Sequence, residues 1–292
     1  MDIKKLHRTL QLIFYSFCVL WSAAKAISST YSASGFFSEK KHVGLQKRKY
    51  MAQKLNIALI GYGKMGKMIE QIALSRGHLI VSKIDSDSTK KDWTEVAKAD
   101  IAIEFSMPKS AVKNIKKCFE MNVPVVVGTT GWYEHLPEIK TLCKSGQQAV
   151  LTATNFSIGV NLFFHVNKIL AQAMENLPEY NVQIEEIHHT QKLDAPSGTA
   201  ITIAEGILAE LSRKTKWALT QDVKKDTELE IAALRKDEVP GTHSVKYTST
   251  IDDIEIIHIA HNRSGFAVGA IIAAEWLFNK KGYFTMTDLI GF

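Results

Sequence analysis

A short apolar run rich in β-formers, residues 55–60, meets Gly61-Tyr62-Gly63-Lys64-Met65-Gly66, and a helix-period segment (Met65, Met68, Ile69, Ile72, Ala73) follows at once. Strand, G-x-G-x-x-G and helix in that order limit the fold more than any other feature of the chain. The first glycine makes a tight turn, the second lets backbone approach a pyrophosphate, and the third permits helix–strand contact. All six loop residues are therefore candidates to hold a dinucleotide. Residues 78–84 read as the next strand and lead into Asp85, 19 residues past Gly66. That acid stands where an adenosine ribose is usually met.

The alternation continues. Strands are expected at 100–105, 124–127 and 148–153, with helices at 111–121 and 133–145. Strands alternating with helices imply right-handed crossovers and a parallel sheet covered on both faces. Ligands of such a sheet sit beyond the carboxyl ends of its strands. Three loops fall there: Phe105 and Ser106, then Gly128, Thr129 and Thr130, then Thr154, Asn155 and Phe156.

With 292 residues, 46% of them hydrophobic, the chain can bury a large core or two modest ones. The net charge of +6 suggests nucleic acid until it is located. Residues 1–50 hold 9 of the 36 Lys+Arg and 2 of the 30 Asp+Glu, which leaves 27 against 28 for the body. A neutral body has no electrostatic footprint for nucleic acid. Residues 1–51 read as an extension: Lys4, Lys5 and Arg8 precede an apolar run and an A-x-A-like site, then a Ser-rich stretch poor in acids. This is the layout of a targeting segment for the secretory route or an organelle, or else a misassigned start, with Met51 just before the first strand. With a misassigned start the body is cytoplasmic. Its apolar run is too short for a comfortable membrane span, and no membrane is expected for the body. Cys18, Cys118 and Cys143 show no disulfide or metal spacing, and no metal is expected.

Residues 185–200, E-E-I-H-H-T-Q-K-L-D-A-P-S-G-T-A, concentrate titratable groups between two periodic segments. Before them, 180–187 alternates as a strand; after them, Ala200, Ile203, Ala204, Ile207 and Leu211 recur at helical spacing. Ser197 reads as the N-cap, with Gly198 and Thr199 presenting free amides at a helix start, which is a ready site for a carboxylate or phosphate. His188, His189 and Lys192 would rim it with protons and positive charge. His188 and His189 can both reach one ligand only if the strand ends there, because strand neighbours point to opposite faces. Residues 158–173 read as a long helix, 214–237 as a helix and loop on the surface, 243–260 as a hairpin and 266–278 as a helix returning to the nucleotide half.

The run H-H-x-x-K-x-D-A-P-S-G-T-A resembles the signature of the dihydrodipicolinate reductase family, and the resemblance spans about residues 54–292. G-T-T-G (128–131) and N-F-S-x-G-V-N (155–161) are similar to its cofactor-facing and hinge segments. Tyr62 and Lys64 in the glycine loop depart from the family pattern, as does Glu104-Phe105-Ser106, where Asp-Phe-Thr is common. The resemblance implies a Rossmann-like parallel-sheet domain (52–154 and 265–292) and a smaller α+β domain with an open mixed sheet (155–264) for substrate binding and oligomerisation. It implies hydride transfer from NADH or NADPH to a cyclic imine dicarboxylate, giving tetrahydrodipicolinate for lysine and diaminopimelate synthesis, in a homotetramer. Hydride arrival needs a proton source and cations. His188 and Lys192 are assigned that chemistry, and His189, Lys192, Ser197, Gly198 and Thr199 the substrate carboxylates. Asp85, with no Arg beside it, points to NADH over NADPH. Two rivals are another nicotinamide enzyme, such as an amino-acid dehydrogenase, and a dinucleotide sensor. The glycine loop suits both; His188 and Lys192 suit neither.

Overall fold

Two β-sheets organise residues 53–144 and 146–292, the part of the chain that this computed structural model describes; the extension 1–51 lies outside it. The first sheet grows from the glycine-loop unit: β1 (Asn56–Ile60), α1 (Lys64–Ser75) and β2 (Leu79–Ile84). It continues through α2 (Lys90–Val96), β3 (Ile101–Glu104), α3 (Pro108–Glu120), β4 (Val125–Val127), α4 (Leu136–Lys144) and β5 (Ala149–Thr152). Its order is β11-β5-β4-β3-β1-β2, every pair parallel. The last partner, β11 (Gly282–Phe284), was not anticipated, nor was the short helix α8 (Met286–Ile290) behind it.

The inner strands β1, β3, β4 and β5 are buried on both faces and read as apolar runs rather than alternations, which is why Ile101–Ile103 and Val125–Val127 have no polar side. Ile69 and Ala73 of α1, with Ala270, Ile271 and Ala274 of α7 (Ser264–Leu277), fill one face. Ala111, Ile115, Cys118 and Ile139 of α3 and α4 fill the other. A Rossmann-like layered sheet results, with the two described cysteines, Cys118 and Cys143, buried as free thiols in its core.

The second sheet is mixed. It contains β6 (Asn181–His188), β7 (Lys216–Leu219), β8 (Glu228–Arg235), β9 (Gly241–Thr248) and β10 (Asp253–Ala260), in the order β10-β9-β6-β8-β7. β9 runs antiparallel to both β6 and β10, whereas β8 lies parallel to β6 and β7 parallel to β8. Helices α5 (Ile158–Met174) and α6 (Gly198–Leu208) cover one face, where Phe163, Ile203 and Ile207 meet Ile184, Ile231 and Val245. No helix among the described residues covers the other face, and Ile187, Leu234, Ile257 and Ile259 lie there half-exposed or exposed.

The hairpin expected at 243–260 is present as β9 and β10. The surface helix expected within 214–237 is not: this stretch forms β7, a single 3-10 turn (Thr220–Asp222) and β8, an interior strand. Charge hid the strand period. Glu228 is buried, yet satisfied by Lys216 Nζ at 3.1 Å and the Lys224 amide at 2.6 Å, while Leu229 and Ile231 are fully buried beside it.

Candidate active site

Strand β6 alternates strictly. Val182 and Ile184 face the helices, and the same face continues as Glu186 and His188. Apolar residues thus give way to two ionisable ones at the strand's carboxyl end, still buried. Register supplies the rest: Glu186 stands opposite His243 on β9, and His188 opposite Arg235 on β8.

Glu186 is fully buried and is the hub. Both its oxygens accept from the Ser197 amide at 3.1 Å, and Oε1 accepts from both terminal nitrogens of Arg235 at 3.3 Å. Oε2 lies 3.6 Å from His188 Nδ1 and 3.7 Å from His243 Nε2. Burial works against its charge, but His243, the Ser197 hydroxyl and amide, and His188 outweigh it and hold the carboxyl at about 2. His188 is pushed the other way, to about 4, chiefly by burial; Glu186 opposes this, and His243, Lys192 and Arg235 add to it.

Arg235 also buckles the loop after β6. Its Nε donates to the Lys192 carbonyl at 3.4 Å and Nη2 to the Asp194 carbonyl at 2.6 Å. Within that loop Lys192 Nζ donates to both Asp194 oxygens at 2.8 Å. The loop delivers the chain to Ser197, which caps α6 by accepting from the Ala200 amide at 3.1 Å and bonds His243 Nε2 at 3.2 Å. No described hydrogen bond engages the Gly198 or Thr199 amide, and a Cβ on Gly198 would meet nothing within 4 Å. The helix head is open, and its dipole and free amides suit a carboxylate.

His189 leaves the strand and parts from His188. Its Nε2 accepts from Arg263 Nη2 at 2.9 Å, and since a guanidinium only donates, this nitrogen is the unprotonated one. Both residues line a cleft of about 630 Å³ with Thr190, Gln191 and Pro240; His188, Lys192 and Ser197 are not among its walls. The sequence thus grouped six residues that the fold divides between a buried cluster (His188 and Ser197), a loop (Lys192), a helix head (Gly198 and Thr199) and a cleft rim (His189). It missed Glu186, Arg235 and His243, whose only signal is strand pairing.

The dinucleotide candidates gather at the carboxyl end of the first sheet. Gly61 has φ +94°, and a Cβ there would stand 2.1 Å from the Phe105 carbonyl oxygen; one on Gly66 would stand 2.3 Å from the Gly61 oxygen. Gly63 faces open space at the uncapped N-terminus of α1 beside exposed Lys64 and half-buried Met65. Free amides over a side-chain-free approach fit a pyrophosphate. Tyr62 donates to Glu70, which also pairs with Lys83 at 2.6 Å. Asp85 is exposed, and its Oδ1 accepts from the Asp87 amide at 3.0 Å and Ser88 Oγ at 3.2 Å.

Phe105 lies over Gly128, where a Cβ would stand 2.2 Å from its ring, and meets Phe156 at 5.6 Å between centroids. Thr129 Oγ1 accepts from the Ser106 amide at 2.8 Å, whereas Thr130 and Thr154 are exposed. Phe156 is buried in the core. Asn155 Nδ2 reaches Thr199 Oγ1 at 3.5 Å, joining the end of β5 to the head of α6. The nucleotide loops and the proposed anion site therefore share a border.

Two family descriptions match: "Dihydrodipicolinate reductase, N-terminus" over residues 55–156 and "Dihydrodipicolinate reductase, C-terminus" over 159–290. A 4-hydroxy-tetrahydrodipicolinate reductase of Christiangramia forsetii is 50% identical over 236 residues, 81% of this chain and 98% of that protein. The enzyme of the same name from Methanosarcina barkeri is 32% identical, covering 81% of this chain and 99% of its own length. Among solved structures, the dipicolinate-bound dihydrodipicolinate reductase of a Paenisporosarcina species superposes with a TM-score of 0.67 at 21% identity, over 80% of this chain and 98% of that one.

Proposed function

The chain belongs to the dihydrodipicolinate reductase family and is a nicotinamide-dependent reductase forming tetrahydrodipicolinate for lysine and diaminopimelate synthesis; on that premise we propose how its residues share the work. The nucleotide is held at the first sheet by the glycine loop, Asp85 and the loops at 105–106, 128–130 and 154–156. When bound, the nicotinamide supplies the hydride. The substrate dicarboxylate docks on the Ser197, Gly198 and Thr199 end of α6, with His189 and Lys192 as further partners. His188 is the proton donor, and Lys192 supplies the proton to the ring nitrogen system. This division is also a division of domains, 52–154 with 265–292 against 155–264.

The observation that carries the reading is the open α6 head, tied through the Ser197 amide to the buried Glu186 and its neighbour His188, and through Thr199 to Asn155 just beyond β5. In the free protein burial keeps the His188 imidazole neutral at ordinary pH. A dianionic substrate beside it favours the imidazolium, so substrate loading itself arms the acid. Lys192 must exchange Asp194 for a substrate carboxylate, an exchange between two anions of like kind. The test is direct: NADH oxidation with 4-hydroxy-tetrahydrodipicolinate should be inhibited competitively by dipicolinate. No oxidation under those conditions contradicts the reading.

NADH is preferred over NADPH on this proposal. Asp85 keeps one oxygen clear of its own turn for a ribose hydroxyl, and Lys83 is held by Glu70 and over the Tyr62 ring at 4.7 Å. A 2′-phosphate would face the carboxylate. The uncovered face of the second sheet, with Ile187, Leu234, Ile257 and Ile259, is the surface through which copies of the chain form a homotetramer, because such an apolar face is costly in water. No helix among the described residues is long and apolar enough to cross a membrane; the body's neutral charge and its free thiols suit the cytoplasm.

A further inference from the structure

We propose that Glu186 is the positioning residue of this site: its carboxylate turns the Nδ1 edge of His188 inward, leaves Nε2 for the substrate, and fixes the Ser197 amide at the head of the anion-binding helix. The proposal rests on the reading of His188 as proton donor and adds what holds and orients that donor.

Three observations carry it. His188 Nδ1 is fully buried and, among the described residues, without a hydrogen-bond partner, 3.6 Å from Glu186 Oε2. That is a few tenths of an ångström beyond a hydrogen bond, so a small inward movement makes Nδ1–H donate to Oε2. On the ring's other edge Nε2 borders Gly241, where a Cβ would approach to 3.2 Å; the missing side chain leaves that edge room. The same carboxylate accepts from the Ser197 amide at 3.1 Å, so the distance from proton donor to anion site is set through one residue. A fixed carboxylate behind an imidazole selects the tautomer and stabilises the imidazolium once it forms.

The same trio offers another chemistry, since ligand atoms of Glu186, His188 and His243 all lie within 4.8 Å of one another. Arg235 decides against a metal ion, because its guanidinium sits 3.3 Å from Oε1 and already neutralises the carboxylate. A divalent ion would add charge beside that cation.

Charged and titratable groups face His188 from every side: Glu186 on its own strand, His243 on β9, Arg235 on β8 and Lys192 in the loop. Glu186 is the one that favours the imidazolium. Glu186→Gln should therefore lower kcat at neutral pH by roughly 10–100-fold and move the kcat limb of His188 to lower pH, with activity partly recovering as pH falls. Its KM should change far less than kcat. A purely structural loss would depress kcat at every pH without moving the limb, and that result in a folded variant overturns the proposal. The wild-type protein offers a second readout that needs no variant. Nitrogen NMR of neutral His188 should show the Nδ1–H tautomer, and an Nε2–H tautomer also overturns it. His188→Gln separates the two readings. Wild-type kcat in that variant refutes His188 as acid, whereas an inactive His188→Gln beside an unshifted Glu186→Gln limb refutes Glu186 alone.

Discussion

Two glutamates, one in each sheet, are equally inaccessible to water and oppositely treated. Glu104 ends β3 in the first sheet and, among the described residues, has only neutral company: Ser106 donates to Oε1, Asn114 Nδ2 donates at 3.2 Å, and Oε2 has no partner. Burial pushes its carboxyl up, against the pull of Ser106, Thr129 and Asn114. Glu186 lies just before His188 on the buried face of β6 and, despite burial, is held at about 2 by His243, Ser197 and His188, with Arg235 paired to it. Burial alone therefore does not set a carboxyl's charge; its donors do. The buried acid beside the proposed nucleotide loops is thus disfavoured as an anion by its burial. The buried acid beside the proposed anion site is instead kept charged, by Arg235, the Ser197 amide and two imidazoles.

The largest effect that can break this comparison is on stability at neutral pH. Glu186→Gln leaves Arg235 without its anion and should cost on the order of 3–5 kcal/mol. Glu104→Gln removes no charge partner and should change stability by less than about 1 kcal/mol. Denaturant unfolding of the two variants checks the pair, and equal losses would erase the distinction.

Next comes pH. Glu186 ionises at about 2 when folded against an ordinary 4.5, so its stabilisation is present above 4.5 and is lost as pH falls toward 2. His188, at about 4 against 6.5, adds stability above 6.5 that is lost as pH falls toward 4. Glu104 has the opposite sign. Its raised folded pKa favours the fold at low pH and loses that advantage as pH rises from 4.5 through the folded value. Thermal unfolding against pH should show Glu104→Gln gaining on the wild type as pH rises and Glu186→Gln approaching it as pH falls. Parallel curves would contradict both assignments.

How much of this the sequence carried depends on distance along the chain. Gly61–Gly66, Asp85 and the 188–199 run are contiguous or follow from local period, and the family resemblance rested on the last of these together with 128–131 and 155–161. Glu186 was visible only as one more acid before two histidines. Arg235 and His243 become its partners through register, 49 and 57 residues away, and no local pattern encodes that pairing. Within 214–237, paired charges at Lys216 and Glu228 imitated a solvated helix, so the strand bearing Arg235 was itself hidden.

A smaller effect sharpens the nucleotide side. Asp85→Ala should narrow or reverse the NADH advantage by about tenfold or less, an energy of roughly 1.4 kcal/mol. The check is kcat/KM for both cofactors at one ionic strength. An untouched ratio would remove Asp85 from the ribose.

The central claim is that the first sheet holds the nucleotide while the second performs the proton chemistry, and His188→Ala tests it most directly when turnover and NADH affinity are measured on the same preparation. The account predicts kcat lower by roughly 10²–10⁴-fold, with the NADH dissociation constant unchanged within about a factor of two. Wild-type turnover, or NADH affinity falling as steeply as kcat, would contradict it.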